Sequence, residues 1–266
     1  KRIESVLMPN ATHYTLCIST PVGCAMGCDF CMTAKMGLDR NLSVGEIVGQ
    51  VVECAREIED GKILRNVVFM GMGEPFHNYE NLVGAIEILN EDFGFGLSWR
   101  RMTVSTSGLV PAIKRFGQEK VRANLAISLN GATDEVRSKL MPVNKRWNIE
   151  QLLAACREFP QDTRYRITFE YVMIRDVTDS LVDARRLVKL LHGMKCKVNL
   201  IPYNAGPESP YQSPDLKHVR AFQEILLNKG VLATVRISKA QDIAGACGQL
   251  ITEMRKRPFA AERAAS

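Results

Sequence analysis

Gly23-Cys24-Ala25-Met26-Gly27-Cys28-Asp29-Phe30-Cys31 sets three cysteines in the spacing Cys-x3-Cys-x2-Cys. Three thiolates in so short a loop are one ligand too few for a closed metal site. A cubane [4Fe–4S] cluster takes four ligands, usually cysteine, so Cys24, Cys28 and Cys31 would leave one iron open to a small molecule. Gly23 and Gly27 let the backbone wrap closely around such a group, and Phe30 would shield it from water. The competing occupant is a structural zinc ion, which wants a fourth protein ligand. His13, His77, His192 and His218 all lie outside the loop, and none makes a zinc-ligand spacing with it.

Working outward from the loop, the 266 residues are 46% apolar and 24% charged, the balance of an ordinary globular enzyme with enough apolar sequence for a substantial core. No apolar run approaches the ~18 residues of a membrane-spanning helix. Eight cysteines with a cluster-type spacing read as a reducing cytoplasm rather than a disulfide framework. The net charge of +6 permits a polyanionic partner and by itself argues for one only weakly.

Short apolar runs alternate with longer helical patterns along the chain, the signature of βα units and a parallel sheet. Strands are predicted near Tyr14–Ser19, Asn66–Met70, Arg101–Ser105, Ala123–Leu129, Ile167–Val172, Lys197–Ile201 and Thr234–Ile237. Helices are predicted at about Ser43–Glu59, Tyr79–Asn90, Leu109–Phe116, Ile149–Phe159, Ser180–His192 and Asp215–Asn228. Ser43 with Glu46 three residues on is a capping-box pattern. Right-handed βα crossovers curl such a sheet toward a barrel, and ligands bind at the carboxyl ends of its strands. The three-cysteine loop follows the first strand, Gly71–Pro75 the second, Ser105–Ser107 the third and Ser128–Asn130 the fourth. Pro202–Asn204 and Cys247 follow later strands, so all of these fall on one rim.

Met70-Gly-Met-Gly-Glu-Pro75 leaves an apolar strand and turns abruptly. Its glycines, Gly73 among them, let a ligand approach the backbone, and Glu74 can accept hydrogen bonds from a ligand ammonium. Ser105, Ser128, Leu129, Asn130 and Asn204 are further rim positions for ligand contact, although polar residues at strand ends also serve as helix caps. Cys54, Cys156 and Cys196 read as small buried hydrophobes. Cys17 lies on the first strand, seven residues before the loop. Cys247 sits in the small-residue turn Ile243-Ala-Gly-Ala-Cys-Gly-Gln-Leu250. From pattern alone, two ordinary core cysteines would explain these as well as a functional pair.

The loop resembles that of the radical S-adenosylmethionine (SAM) superfamily, in which SAM chelates the open iron. Beyond it, Glu4-Ser-Val, Leu16-Cys17, Val22-Gly-Cys24, Gly71-Met-Gly-Glu-Pro75, Ser105-Thr-Ser-Gly108 and Ser128-Leu129 are similar to the RlmN/Cfr family of radical SAM RNA methyltransferases. So are Met141-Pro-Val-Asn144, Pro202-Tyr-Asn204 and Ala246-Cys-Gly-Gln-Leu250, and the likeness runs from about Ile3 to Leu250. It implies a partial (β/α)6 barrel with parallel strands. It further implies a [4Fe–4S] cluster on Cys24, Cys28 and Cys31, with SAM held by Gly73, Glu74, Ser105, Ser128, Leu129, Asn130 and Asn204. Asn130 stands where many relatives carry His.

The resemblance also implies a reaction. Adenine C2 is an electron-poor carbon and cannot attack the methyl of SAM, so a radical route is needed. Cys247 would take a methyl from one SAM, and a second SAM would supply a radical that activates it for addition to the ring. Glu4 would accept the proton from the substituted carbon. Cys17 would then attack the sulfur of Cys247, releasing product and leaving a transient disulfide. The implied partners are 23S rRNA, tRNA and a reduced flavodoxin- or ferredoxin-type electron donor, with the enzyme a monomer free of any membrane. Pro75 favours the adenine-C2 branch. The alternatives are C8 methylation of 23S rRNA or radical chemistry on a protein or small metabolite.

Family members carry an N-terminal accessory domain. Residues 1–13 are therefore expected to be the end of one that is missing, 14–254 the catalytic domain, and 255–266 a disordered tail. Arg100-Arg101, Lys114-Arg115, Lys120 with Arg122, and Lys145-Arg146 could contact phosphates, though charges on solvated helix ends are the commoner explanation. An unstacked adenine would have Phe76, Trp99 and Trp147 as possible stacking partners.

Overall fold

The alternation of apolar runs resolves into one curled sheet wrapped by helices. The structure, a computed structural model, describes residues 1–160, 166–205, 209–237 and 248–250. The strands are β1 (Val6–Pro9), β2 (His13–Cys17), β3 (Pro21–Gly23), β4 (Leu38–Asn41), β5 (Ile63–Phe69), β6 (Met102–Thr106), β7 (Asn124–Ser128), β8 (Ile167–Met173), β9 (Cys196–Pro202) and β10 (Leu232–Val235). The helices are α1 (Met32–Lys35), α2 (Val44–Ala55), α3 (Tyr79–Asn90), α4 (Val110–Phe116), α5 (Asp134–Leu140), α6 (Ile149–Glu158), α7 (Leu181–Leu190) and α8 (Leu216–Asn228).

Among the described residues eight strands form the main sheet in the order β1-β2-β5-β6-β7-β8-β9-β10, and β1 does not pair with β10. Every neighbouring pair from β2 onward is parallel, whereas β1 runs antiparallel to β2 with Val6 opposite Cys17. The parallel half-barrel is as expected. It has one strand more than six because β10 adds to β9, and Val6–Pro9, within the stretch expected to be the end of an accessory domain, supplies its antiparallel edge.

Strand periodicity sorts side chains onto two faces. On β2, Tyr14 and Leu16 are buried beneath the helices, and Cys17 points the other way, into the curl of the sheet. Leu16, Phe69, Val104, Ile127, Phe169 and Leu200 belong to the same continuous core under the helical layer. Each such side chain contributes roughly 1.5–3 kcal/mol by leaving water. β8 is buried at all seven positions, as a strand covered by helices on one face and the curl on the other must be. The inner face is partly polar. Asn66 Nδ2 donates to Thr15 Oγ1 (3.1 Å), and Asn199 bridges Glu170 Oε1 (3.0 Å) and Thr234 Oγ1 (2.6 Å) across three strands.

The capping box at Ser43 forms as the sequence indicates: Ser43 Oγ accepts from the Glu46 amide and Glu46 Oε2 accepts from the Ser43 amide. β3 and β4 make a separate antiparallel hairpin on either side of the three-cysteine loop.

Candidate active site

The loop is shaped by contacts at both ends. The Cys24 amide donates to the Gly37 carbonyl (2.8 Å), and Gly23, at φ 77°, approaches that carbonyl so closely that a Cβ would lie 1.9 Å from it. Only glycine fits there. The Asp29 amide donates to Leu140 O (3.0 Å), while Cys28 and Phe30 pack on an apolar cluster containing Leu140 and Met141. Beyond the loop, the Met32 amide donates to Gly248 O (2.8 Å) and Thr33 Oγ1 to Leu250 O (2.7 Å).

Cys24, Cys28 and Cys31 all line one cavity of about 170 Å³ at the carboxyl rim of the sheet. Cys17, Gly73, Glu74, Ser105, Ser128 and Asn130 line it too, as does Gly248. Cys247, the residue before Gly248, lies outside the described residues, as does the tail expected at 255–266. Burial pushes the Cys24 thiol up to about 11 and Cys28 higher still, so without metal both are held as neutral thiols. Coordination removes such protons.

Glu74 is buried, which raises its pKa against the pull of its hydrogen bonds. Its carboxylate accepts from the Ser107 amide (2.7 Å) and the Phe76 amide (3.1 Å), tying the turn after β5 to the end of β6. Gly73, at φ 88°, leaves room for Pro21, 1.9 Å from where a Cβ would stand. Asn130 adopts φ 49°, a left-handed conformation that Asn tolerates better than most residues. Its Oδ1 accepts from the Val172 amide (2.9 Å), so this side chain braces β7 against β8.

Other expected contacts are placed differently. Leu129 is fully buried in the core and presents its backbone, whose amide donates to Glu170 O. Asn204 is buried just past β9 and is not among the cavity's lining residues. Glu4 is half-buried, also outside that lining, with its backbone carbonyl accepting from Ser19 Oγ (2.7 Å). Phe76 is a core residue packed on Tyr79 and Phe116, not a stacking platform. Trp99, Arg100, Arg101, Lys120 and Arg122 precede β6 and β7, at the end of the sheet away from the cysteines. Lys114 pairs with Glu158 and Arg115 with Glu80.

Several cavity residues lie outside the expected set, and three of them are polar or charged groups of note. Glu170 Oε2 is buried and has no hydrogen-bond partner among the described residues, the Ser107 hydroxyl lies beside the Glu74 carboxyl, and Arg236 lines the same space. Glu170 had a signal in sequence: it is the lone charge inside the apolar run Ile167–Met173.

Known proteins resemble this chain over most of its length. Residues 18–188 match the Radical SAM superfamily. A dual-specificity RNA methyltransferase RlmN from Syntrophotalea carbinolica is 54% identical over 261 residues, 98% of this chain and 69% of that protein. Another, from Nitratiruptor sp., is 49% identical over 93% of this chain and 74% of its own. This chain belongs to the RlmN/Cfr family of radical SAM RNA methyltransferases. The crystal structure of a radical SAM methyltransferase from Sphaerobacter thermophilus superposes with a TM-score of 0.90 at 49% identity, over 93% of this chain and 73% of that one.

Radical SAM family membership implies an iron–sulfur cluster and SAM, and the residues present fit both. Cys24, Cys28 and Cys31 do not close on a point that would hold a single metal ion among the described residues, but they line one cavity, and three thiols there would supply three ligands of a larger cluster and leave a fourth position open. The Glu170 carboxylate oxygen, without a partner among the described residues, offers hydrogen-bonding capacity that a polar ligand would use. No helix of the described residues is long and apolar enough to cross a membrane.

Proposed function

We propose that this radical SAM RNA methyltransferase adds a methyl group to C2 of adenine in 23S rRNA and tRNA, consuming two SAM per turnover and carrying the methyl on Cys247. The observation that supports it is that Cys17 shares one cavity with the three loop cysteines and with Gly248, the neighbour of Cys247 in sequence. An enzyme that only abstracts hydrogen needs neither extra thiol.

In this reading Cys24, Cys28 and Cys31 hold the cluster, and Gly73, Glu74, Ser105, Ser128, Leu129, Asn130 and Asn204 hold SAM. When bound, the cluster supplies the electron that cleaves SAM and so gives a radical able to take hydrogen from an S-methyl group. The chain's own residues do the rest. Cys247 accepts a methyl through its sulfur and becomes the covalent link to the base. Glu4 takes the proton from C2 as the odd-electron adduct gives up one electron, which the cluster would take back, and aromaticity is restored. Cys17 attacks the Cys247 sulfur, freeing the methylated base and leaving a disulfide whose reduction resets the enzyme.

A cytoplasmic monomer served by a reduced flavodoxin- or ferredoxin-type donor completes the proposal, with 14–254 as the catalytic domain. Peptide mass spectrometry of anaerobically produced protein supplied with SAM tests it. A methyl group on Cys247 is expected, and cluster-loaded protein that never acquires one would refute the proposal.

A further inference from the structure

Arg137 is the bulkiest side chain with no solvent exposure. Arginine is almost never fully buried unless paired with an opposite charge. Yet among the described residues this guanidinium has only neutral hydrogen-bond partners. Nε donates to Leu129 O (2.9 Å), Nη1 to Asn144 Oδ1 (2.8 Å), and Nη2 to Ser107 O (2.6 Å) and Ser128 O (3.2 Å). The nearest link to a carboxylate is indirect, through Asn144 Nδ2 to Asp134 Oδ1 (2.9 Å). Burial draws its pKa down to about 10, which leaves it cationic at neutral pH. The fold makes room for it, since a Cβ at Gly131 would lie 2.9 Å from Arg137 Cβ and one at Gly108 would lie 3.0 Å from Nη2.

The position of this charge is informative. The Met141 amide bonds Arg137 O (2.7 Å), so the helical turn that starts at Arg137 ends at Leu140 and Met141. The three-cysteine loop sits on that turn: Asp29 N bonds Leu140 O, and Cys28 packs on the cluster formed by Leu140 and Met141. A buried positive charge without a carboxylate is costly. It becomes favourable where a negative charge arrives nearby in the same low-dielectric region. Three thiolates around an iron–sulfur cluster are such a charge, and it grows by one when the cluster is reduced.

We propose that Arg137 is a positioning residue whose fixed charge, set behind the three-cysteine loop, offsets the charge of the thiolate-bound cluster and raises its reduction potential. Its fork also fixes the carbonyls of Ser107, Ser128 and Leu129, and with them the ends of β6 and β7. The inference rests on the three loop thiols holding a cluster, which iron and sulfide analysis of the parent protein checks separately.

The test is a spectroscopic redox titration of cluster-loaded parent, Arg137→Gln and Arg137→Lys without SAM. Arg137→Gln is expected to hold at least tenfold less reduced cluster at a fixed applied potential, a shift of about 59 mV to the negative side for one electron. Arg137→Lys keeps the charge and loses the fork. It is expected to titrate near the parent while binding SAM several-fold more weakly. Equal potentials in parent and Arg137→Gln would overturn the proposal, as would equal negative shifts in both variants. If Arg137→Gln does not retain a cluster, cluster content becomes the readout: Arg137→Lys loading normally supports the proposal, and its failing alongside Arg137→Gln overturns it. A parent that holds zinc, or no iron and sulfide, overturns the cluster reading and this inference together.

Discussion

The amide of Met32 donates to the carbonyl of Gly248 over 2.8 Å. Met32 follows the last cysteine of the loop, and Gly248 follows Cys247. One hydrogen bond thus ties the segment after the three-cysteine loop to the segment after the proposed methyl carrier, and a second from Thr33 Oγ1 to Leu250 O lies beside it.

Thr33→Val keeps the volume at this tether and removes its donor. The buried Leu250 carbonyl then loses a partner, which costs about 1–3 kcal/mol. Thermal unfolding is expected to report that loss. RNA methylation is expected to fall while iron content per chain holds, and iron lost in parallel with activity would show that the tether serves the cluster loop instead.

Replacing Cys17 and Cys247 separates their roles. Cys17→Ala is expected to accumulate protein covalently joined to RNA, seen as a slow band on a denaturing gel that ribonuclease collapses. Cys247→Ala is expected to yield neither that band nor methylated RNA. Methylation by Cys247→Ala would exclude the methyl-carrier role.

Gly23→Ala puts a methyl group 1.9 Å from the Gly37 carbonyl and imposes a left-handed conformation that costs roughly 1–2 kcal/mol for an L-residue. The β3–β4 hairpin must open to accept it. Iron and sulfide content after reconstitution is expected to drop well below the parent's. Full loading of this variant would show that the hairpin geometry is not needed to shape the site.

Glu46 is held down to about 2, first by the Arg40 guanidinium and then by the Ser43 amide. Its folded pKa is below its unfolded value of 4.5, so the stability it provides is complete above about 4.5 and disappears as pH falls toward 2. Glu46→Gln is therefore expected to lower the melting temperature at neutral pH and to converge with the parent near pH 2. A difference that stays constant down to pH 2 would assign the effect to something other than this carboxylate.

The sequence carried the long elements well. Strands and helices with six or more alternating or periodic positions, such as β8 and α3, stand out because burial repeats often enough to be counted. β1 spans four residues ending in Pro9, β4 is exposed along its whole length, and α5 makes barely two turns, so none of these leaves a periodic trace. The site divides along a similar line. Cysteines and glycines announce themselves by type and spacing. Glu170 shows only as a lone charge in an apolar strand, and Ser107 and Arg137 do not stand out, because their roles come from which strands the fold sets side by side. Phe76 misled for the opposite reason: an aromatic beside a rim turn suits stacking in sequence, yet in the fold it faces Tyr79 and Phe116.

Among the described residues the curl of the sheet stops short of closure, with β1 at one edge and β10 at the other. The cavity uses both margins, reaching Val6 and Met8 on β1 and Arg236 just past β10. A closed barrel is a well and admits only what its mouth can swallow. A shell with a seam need not engulf its substrate: a polymer can rest along the gap and hand in a single residue, while everything else it carries stays outside.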